Sequence, residues 1–304
     1  MSSPWIAALR SAALIVPDVE ASARFYTETW NLSVVSRDGT SIYLRGTGEM
    51  HHLLSLHQGD KVALRDVTLT ARNAEALEAI ARATVAAGGT IEKPIGPIDE
   101  PGGGTGLTLR DPMGRVLRVV HGDARHSDAG DTRSVRDYPV RLAHVVLNSH
   151  DVDATQRFFE AALGFRLSDR TKIMAFMNCN TDHHSIAIGI TDNDALNHIA
   201  FMMPDLESVM RGGGRMRDAG YAIEWGPGRH GPGNNAFNYF IGPDGVVIEY
   251  TAEVEQIDET YQARGPEDWK WPAGRIDQWG ISQTPGAHLK DAQRVIHFAS
   301  GNEA

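Results

Sequence analysis

The chain has 304 residues and a formal net charge of -10, and its composition is that of a soluble globular protein long enough for two domains. The negative charge, with no run of basic residues among aromatics, argues against a nucleic-acid partner. A single cysteine, Cys179, excludes an intramolecular disulfide and any cysteine-rich zinc cluster. No apolar segment approaches the roughly 20 residues that cross a bilayer, and no signal peptide is evident, so we expect no membrane association and a cytoplasmic location.

The first part of the chain twice repeats one order of elements, in which a strand is followed by a helix and then by further strands. The predicted elements are a strand at 11–17, a helix at 19–30, strands at 41–45 and 52–56, a strand at 67–70, a helix at 74–87, and strands at 107–109 and 116–120. The glycines Gly88 and Gly89 end the second helix. These units predict an N-terminal domain at 8–122.

A polar, charged segment follows and predicts a linker at 123–138, after which the pattern restarts in a domain at 139–252. The predicted elements of this domain are a strand at 141–147, a helix at 152–163, strands near Ala175 and Ser185, a strand at 196–202, and a helix at 206–219. Three consecutive glycines at 212–214 disfavour the last helix, because each costs roughly 1 kcal/mol relative to alanine. A tail at 253–304 lies outside the repeats.

The end of the second domain carries a carboxylate in an unusual setting. Gly242-Pro243-Asp244-Gly245 separates two apolar runs and predicts a hairpin that pairs the strand of Tyr239 with the strand of Glu249. Glu249 lies in the run VVIEY, where a carboxylate is costly unless its charge is compensated. A metal ion would compensate it, which directs attention to ligands upstream.

Aligning the two halves identifies a ligand set that only one of them has. SAALIV corresponds to LAHVVL, RDVTLTA to NHIAFMM, and DPMGRVLRVV to GPDGVVIEYT. In this register the C-terminal half has three candidate ligands, His144, His198 and Glu249. The N-terminal half has Ala13, Asp66 and Arg118 at these positions, so we expect it to be a copy without a metal site.

Two imidazoles and one carboxylate on one side of a metal ion leave other coordination positions open. This arrangement is typical of non-haem iron(II) sites, so the ligand set favours Fe(II), with Mn(II) next. A single histidine in an apolar strand is more often a core residue than a ligand. The prediction therefore depends on the three residues together, at equivalent positions of repeated units.

The motifs RLAHVVL, HHSIAI, LNHIAF, GRHGPGNNAFNYF and GPDGVVIEY, in this order, resemble those of the two-domain type I extradiol ring-cleavage dioxygenases of the vicinal oxygen chelate superfamily. The resemblance extends from about residue 8 to 252. It implies an α+β, glyoxalase-like fold with two paired βαβββ modules in each domain. It also implies a metal held by His144, His198 and Glu249, a small aromatic diol and O₂ as substrates, and a homo-oligomer.

The same resemblance implies three catalytic residues, His184, His230 and Tyr239. Strand alternation places His183 and His184 on opposite faces without deciding which one is inward, and the resemblance selects His184. The pair His51-His52 occupies the equivalent place in the other half. A histidine pair at this position can therefore come partly from the repeat itself and does not by itself indicate catalysis.

The loop after His230 departs from the family pattern, because it lacks the acidic residue that some biphenyl-type members carry there. The candidates to replace it are Asn234, Asn235 and Asn238. Several aromatic and apolar residues remain open between two interpretations. Met174, Phe176 and Phe237 either line the substrate pocket or belong to the core, and the tryptophans of the tail, Trp269, Trp271 and Trp279, either cover the pocket mouth or pack as a surface arm.

Two other functions remain compatible with the sequence. A glyoxalase-like metal lyase or isomerase would share the fold, although such enzymes collect ligands from two modules with more carboxylates. A metal-free binding protein similar to the bleomycin-resistance proteins would not need three aligned ligands.

Overall fold

The computed structural model describes residues 3–127 and 137–299. The N-terminal half comprises β1 (Ile6–Val16), α1 (Val19–Arg24), a π-helical turn (Phe25–Thr29), β2 (Ser33–Asp38), β3 (Ser41–Arg45), β4 (Leu54–Gln58), β5 (Ala63–Ala71), α2 (Ala74–Ala86), β6 (Thr90–Pro97), β7 (Thr105–Arg110) and β8 (Val116–His121). The C-terminal half repeats this order with β9 (Arg141–Ser149), α3 (Val152–Leu163), β10 (Arg166–Arg170), β11 (Met174–Asn178), β12 (Ile186–Ile190), β13 (Leu196–Met202), α4 (Leu206–Asp218), β14 (Trp225–Arg229), β15 (Ala236–Ile241) and β16 (Val247–Ala252). In the tail, α5 spans Ala287–Ala292.

Each half forms one eight-stranded sheet built from two βαβββ units. The sheet orders are β2-β3-β4-β1-β5-β8-β7-β6 and β10-β11-β12-β9-β13-β16-β15-β14. The two units of a half meet where their opening strands pair antiparallel, β1 with β5 and β9 with β13. The α+β class and the repeated units predicted from the sequence are confirmed.

Four strands have no counterpart in the sequence-based assignment: β2, β6, β10 and β14. Each of them lies at the edge of its sheet, and β2 is largely exposed, so these strands lack the continuous apolar pattern that reveals the central strands. The first predicted helix also differs, since it ends at Arg24 and continues as the π-helical turn.

The helix α4 forms in spite of its three glycines, and the packing explains two of them. A Cβ atom on Gly212 would lie 2.7 Å from the ring of Tyr250, and one on Gly213 would lie 2.8 Å from the amide of Asn238. The glycines therefore let α4 lie directly on β15 and β16. Close packing of the helix on the sheet compensates for their low helix propensity.

The central residues 128–136 of the predicted linker lie outside the described residues, and the carboxylates at its two described ends form ion pairs with different halves. Before them, the Asp123 carboxylate accepts a hydrogen bond of 2.8 Å from Arg10 Nε in β1. After them, Asp137 pairs with Arg211 of α4. Among the described residues, no helix is long and apolar enough to cross a membrane.

The two halves share one hydrophobic core, and Trp30 is central to their contact. The fully buried Trp30 ring stacks on Tyr250 of β16, with centroids 3.6 Å apart and an interplanar angle of 6°. The Tyr250 hydroxyl donates a hydrogen bond of 2.8 Å to the Trp30 carbonyl. Tyr250 follows Glu249, so the N-terminal half packs directly behind the strand that carries the candidate ligand.

The interior of the N-terminal sheet holds ion pairs where the other half has candidate metal ligands. Arg118 of β8, which corresponds to Glu249, lies 3.4 Å from Asp66 and also pairs with Glu100. Burial alone would raise the pKa of Asp66, but Arg118, Arg65, the Thr68 hydroxyl and His57 together outweigh it and the pKa is lowered. A guanidinium group therefore neutralises this interior.

We predict that Arg118→Met destabilises the protein by about 3–5 kcal/mol at pH 7, because it leaves the carboxylate of Asp66 buried without its partner. In the wild type, the lowered pKa of Asp66 contributes stability above its unfolded value of about 3.9 that is lost as the pH falls through the folded pKa. In the variant burial is opposed by fewer groups, so we expect a higher pKa of Asp66 than in the wild type, and protonation in acid then relieves part of the cost. Urea unfolding should therefore give a larger loss at pH 7 than at pH 4.

The double variant Asp66→Asn/Arg118→Met is the control, because it removes the unpaired charge and with it the pH dependence of the difference. An equal loss at both pH values in Arg118→Met would contradict the assignment.

Candidate metal centre

The three candidate ligands lie on adjacent strands at the middle of the C-terminal sheet. His144 of β9 and Glu249 of β16 both pair with Ala200, which lies between them on β13. His198 is two residues from Ala200 on the same strand, so alternation places its side chain on the same face as theirs. All three are at least nine-tenths buried.

Their donor atoms converge without help from any other group. His144 Nε2 and His198 Nε2 lie 3.1 and 3.2 Å from Glu249 Oε2, and the two Nε2 atoms are 3.3 Å apart. Metal–ligand bonds of about 2.0–2.2 Å at right angles would separate neighbouring donors by about 3 Å. The spacing therefore fits three ligands on one face of an octahedral ion, and in the described residues this is the only such group of three.

Hydrogen bonding prepares His198 for a metal. Its Nδ1 lies 2.7 Å from the Asn197 side-chain oxygen, an acceptor, so Nδ1 carries the proton and Nε2 presents a lone pair. Burial lowers the pKa of His198, although Glu249 opposes this effect, so the ring is neutral near pH 7. The Nδ1 atom of His144 is buried without a hydrogen-bond partner among the described residues.

Glu249 is the only charged member of the set. It is fully buried, and one amide, Asn235 Nδ2, approaches its Oε1 at 3.4 Å. Burial alone would raise the pKa of Glu249, but His144 and His198 outweigh it and the pKa is lowered. A buried carboxylate whose neighbours offer imidazole nitrogens favours a divalent cation over an empty interior.

The predicted catalytic His184 lies against this centre. Its ring centroid is 4.4 Å from that of His144, and the ring is almost completely buried. Burial, followed by the neighbouring histidines, lowers its pKa well below the usual value, so the ring is neutral. Gly233, with φ +78°, closes over it, and a Cβ there would lie 2.8 Å from Cε1 of His184. His183 lies beside it with its Nδ1 3.0 Å from Nδ1 of His184.

The other two predicted catalytic residues form a hydrogen-bonded pair beside His198. His230 Nε2 lies 3.0 Å from the Tyr239 hydroxyl, which is itself 3.5 Å from His198 Nε2. Tyr239 pairs directly with Glu249 across the predicted hairpin. Burial lowers the pKa of His230 to about 3 and raises that of Tyr239 well above 10, so both are neutral near pH 7.

The walls of the site include residues whose role the sequence left open. Phe176 contacts His184 at a ring distance of 5.2 Å, and Phe237 stacks on His230 at 4.0 Å. Met174 packs with Phe176 in a small apolar cluster. Trp225, which no sequence signal indicated, stacks on Tyr239 at 5.0 Å.

The tail covers the loop that carries His230. The rings of Trp269 and Trp271 lie against Gly231, where a Cβ would come within 2.9 and 2.5 Å of them, while Trp279 packs under Arg229. Gln278 donates hydrogen bonds to the His230 carbonyl and to the Asn234 side chain. The tryptophans therefore pack on the domain beside the loop of His230, as either a cover or a surface arm would.

Of the three asparagines near this loop, only Asn235 reaches a ligand. Asn234 is exposed, and Asn238 donates a hydrogen bond to the carbonyl of Val209. Asn235 contacts Glu249 and donates a hydrogen bond of 2.7 Å to the Thr251 hydroxyl. Asn235 is therefore the asparagine whose contacts suit a replacement for the acidic residue.

A sequence profile matches both halves of the chain, at 8–119 and 141–250, and its description is Glyoxalase/Bleomycin resistance protein/Dioxygenase superfamily. The chain belongs to this superfamily. The match leaves the linker and the tail outside it, in agreement with the two repeated halves.

Relatives within the superfamily include extradiol enzymes. Metapyrocatechase 2 of Cupriavidus necator is 33% identical over 189 residues, which cover 59% of this chain and 50% of that protein. The manganese-dependent 2,3-dihydroxybiphenyl 1,2-dioxygenase of Geobacillus genomosp. 3 is 25% identical over 78% of this chain and 82% of its own length. A Mn(II)-bound glyoxalase from Novosphingobium aromaticivorans has a similar structure, with a TM-score of 0.85, 32% identity, and coverage of 95% of this chain and 94% of its own.

We predict that Glu249→Gln abolishes tight binding of Mn²⁺ or Fe²⁺, because it removes the only charge of the ligand set. Asn197→Ala should weaken metal binding about 10- to 100-fold. It removes the acceptor that holds the proton on His198 Nδ1, so the tautomer with a lone pair on Nε2 is no longer favoured. Metal titration of the purified protein measures both effects.

Asn178→Ala is the matched control, since Asn178 is a buried amide that bonds to Ser168 and contacts no ligand. Unchanged metal affinity in Glu249→Gln would rule out this ligand set.

Proposed function

We propose that this protein is an extradiol dioxygenase that cleaves the aromatic ring of a catechol-type diol beside its hydroxyl pair, with O₂ as co-substrate. The single observation that supports this best is the position of three neutral proton-handling groups, His184, His230 and Tyr239, around three converging metal ligands. The names of two relatives, a metapyrocatechase and a dihydroxybiphenyl dioxygenase, point to the same chemistry.

His144, His198 and Glu249 would hold the metal ion. When bound, a metal ion would supply Lewis-acid chemistry that lowers the pKa of the diol hydroxyls, and redox chemistry with O₂. We propose Fe(II), with Mn(II) as the alternative, because two imidazoles and one carboxylate suit both ions and one relative is manganese-dependent.

Three protein groups around the candidate ligands, Tyr239, His230 and His184, would transfer protons. The Tyr239 hydroxyl and His230 Nε2, 3.0 Å apart, offer a donor and an acceptor to the oxygens of the diol, and a neutral His230 can receive a proton that leaves the diol. His184 is neutral and fully enclosed, so it can accept a proton and return it to an oxygen atom of the reacting complex. Burial of His184 and Tyr239 limits the access of water to these transfers.

A second candidate is a metal-dependent lyase or isomerase reaction, because the Novosphingobium protein is described as a glyoxalase. The ligand set is less favourable for it, since all three donors come from one half and include a single carboxylate. The proposal of a metal-free binding protein does not account for their convergence. Cytoplasmic location and homo-oligomerisation stay predictions.

Oxygen consumption separates these functions. We expect protein loaded anaerobically with Fe(II) to take up oxygen with catechol, methylcatechols or 2,3-dihydroxybiphenyl and to give a yellow product. Metal binding without oxygen uptake on any of these diols or on hydroquinones would overturn the proposal in favour of the lyase or isomerase reaction.

We predict that His184→Ala retains its metal and binds the diol but turns over about 10²- to 10⁴-fold more slowly, because it lacks the enclosed proton carrier. His52→Ala is the matched control, since His52 is the buried equivalent in the half without ligands, and it should retain wild-type kcat. Loss of metal from His184→Ala would instead indicate a structural role.

A further inference from the structure

We propose that Asp169 and His183 are positioning residues that fix the tautomer of His184, and that the tail holds Asp169 in place. This inference rests on the proposed function only in that His184 handles protons there. The geometric part concerns the apoprotein and can be tested without turnover.

A continuous chain of hydrogen bonds leads from the sheet edge to His184. Asp169 of β10 is fully buried, and its Oδ2 lies 2.9 Å from Nε2 of His183. The other nitrogen of His183, Nδ1, lies 3.0 Å from Nδ1 of His184. His183 is also fully buried, so no solvent competes for these contacts.

The chemistry of the donors decides where the protons lie. An ionised carboxylate only accepts hydrogen bonds, so His183 must donate from Nε2 to Asp169. With one proton on its ring, His183 then has a lone pair at Nδ1, and the contact of 3.0 Å pairs this lone pair with a proton on Nδ1 of His184. The lone pair of His184 is thereby directed to Nε2, the nitrogen that is left for reacting groups.

The tail supplies every other hydrogen bond to the Asp169 side chain within the described residues. Arg264 donates from its backbone N to Oδ1 at 2.8 Å and from Nη2 to Oδ2 at 3.1 Å, and the Tyr261 hydroxyl donates to Oδ2 at 3.0 Å. The guanidinium of Arg264 also pairs with Glu255, whose carbonyl accepts from the backbone N of His183 at 2.8 Å. The tail therefore fixes both ends of the Asp169–His183 pair.

The N-terminal half provides an internal comparison. His51 and His52 repeat the contact between Nδ1 atoms at 3.0 Å, but Nε2 of His52 faces Arg10, which can only donate. No carboxylate hydrogen-bonds to His51 among the residues that the structure describes. Both halves therefore contain a histidine pair. Within the described residues, only the pair His183-His184, beside the candidate ligands, has a carboxylate partner that the tail contacts.

The decisive experiment records ¹⁵N spectra of histidine-labelled apoprotein, with His184→Gln used to assign the signals of that ring. We expect the wild type to show His184 protonated at Nδ1. In Asp169→Asn the amide can donate to His183 Nε2, which moves the proton to His183 Nδ1 and leaves His184 protonated at Nε2. Protonation at Nε2 in the wild type, or no change in the variant, would overturn the proposal.

Kinetics of the metal-loaded enzyme give a second readout. Asp169→Asn should lower kcat about 100-fold or more while KM for the diol and the metal content stay within about twofold, because the wrong tautomer affects proton transfer and leaves binding intact. Asp169→Glu should recover part of the loss. Asp182→Asn is the matched control, because this buried carboxylate precedes His183 but bonds to Arg141 and Gln256.

If Asp169→Asn does not fold, Tyr261→Phe tests the same contact from the tail and should lower kcat about 3- to 10-fold with KM unchanged. Unchanged kcat in both Tyr261→Phe and Arg264→Gln would overturn the role of the tail. A tautomer change in Asp169→Asn, in a protein that consumes no oxygen with any diol, would support the positioning pair and reject the proposed function.

Discussion

The buried negative charge of Glu249 is the constraint on which the C-terminal half depends. A carboxylate without solvent loses several kcal/mol of hydration, and one amide contact at 3.4 Å does not replace it. The neighbouring strands respond by presenting two imidazole nitrogens within 3.2 Å of the same oxygen. Because burial disfavours charge on His198, a divalent ion compensates Glu249 better than a protonated ring does. The arrangement of the three strands and the need for a cation therefore both follow from the burial of the Glu249 carboxylate.

The N-terminal half also buries carboxylates, and it neutralises them with arginine side chains. Arg118 neutralises Asp66, and Arg10 pairs with Asp123 and Glu100, so the interior is balanced without any exchangeable ion. Guanidinium groups are permanently charged and offer no open coordination positions. The same fold thus contains one centre that can exchange ligands and one that cannot.

The candidate ligands could be predicted from the sequence because each lies in a central strand whose apolar neighbours make a polar residue conspicuous. Asp169 could not be found in this way, since it lies in the short edge strand β10, and its partners are 14 residues away at His183 and 95 residues away at Arg264. The choice between His183 and His184 also depends on the turn before β12, whose geometry alternation alone does not determine. The contacts of the tail arise from tertiary packing, which produces no periodic pattern of apolar residues in the sequence.

The stacking of Trp30 on Tyr250 makes the two halves unequal but inseparable. Adjacent residues of β16 serve two purposes, with one side chain directed at the donor cluster and the next held by an aromatic ring from the other repeat. A single peptide unit therefore connects the surface between the repeats to the ion-binding residues. The half without the ligand set is therefore part of what positions Glu249, although none of its described residues belongs to the donor cluster.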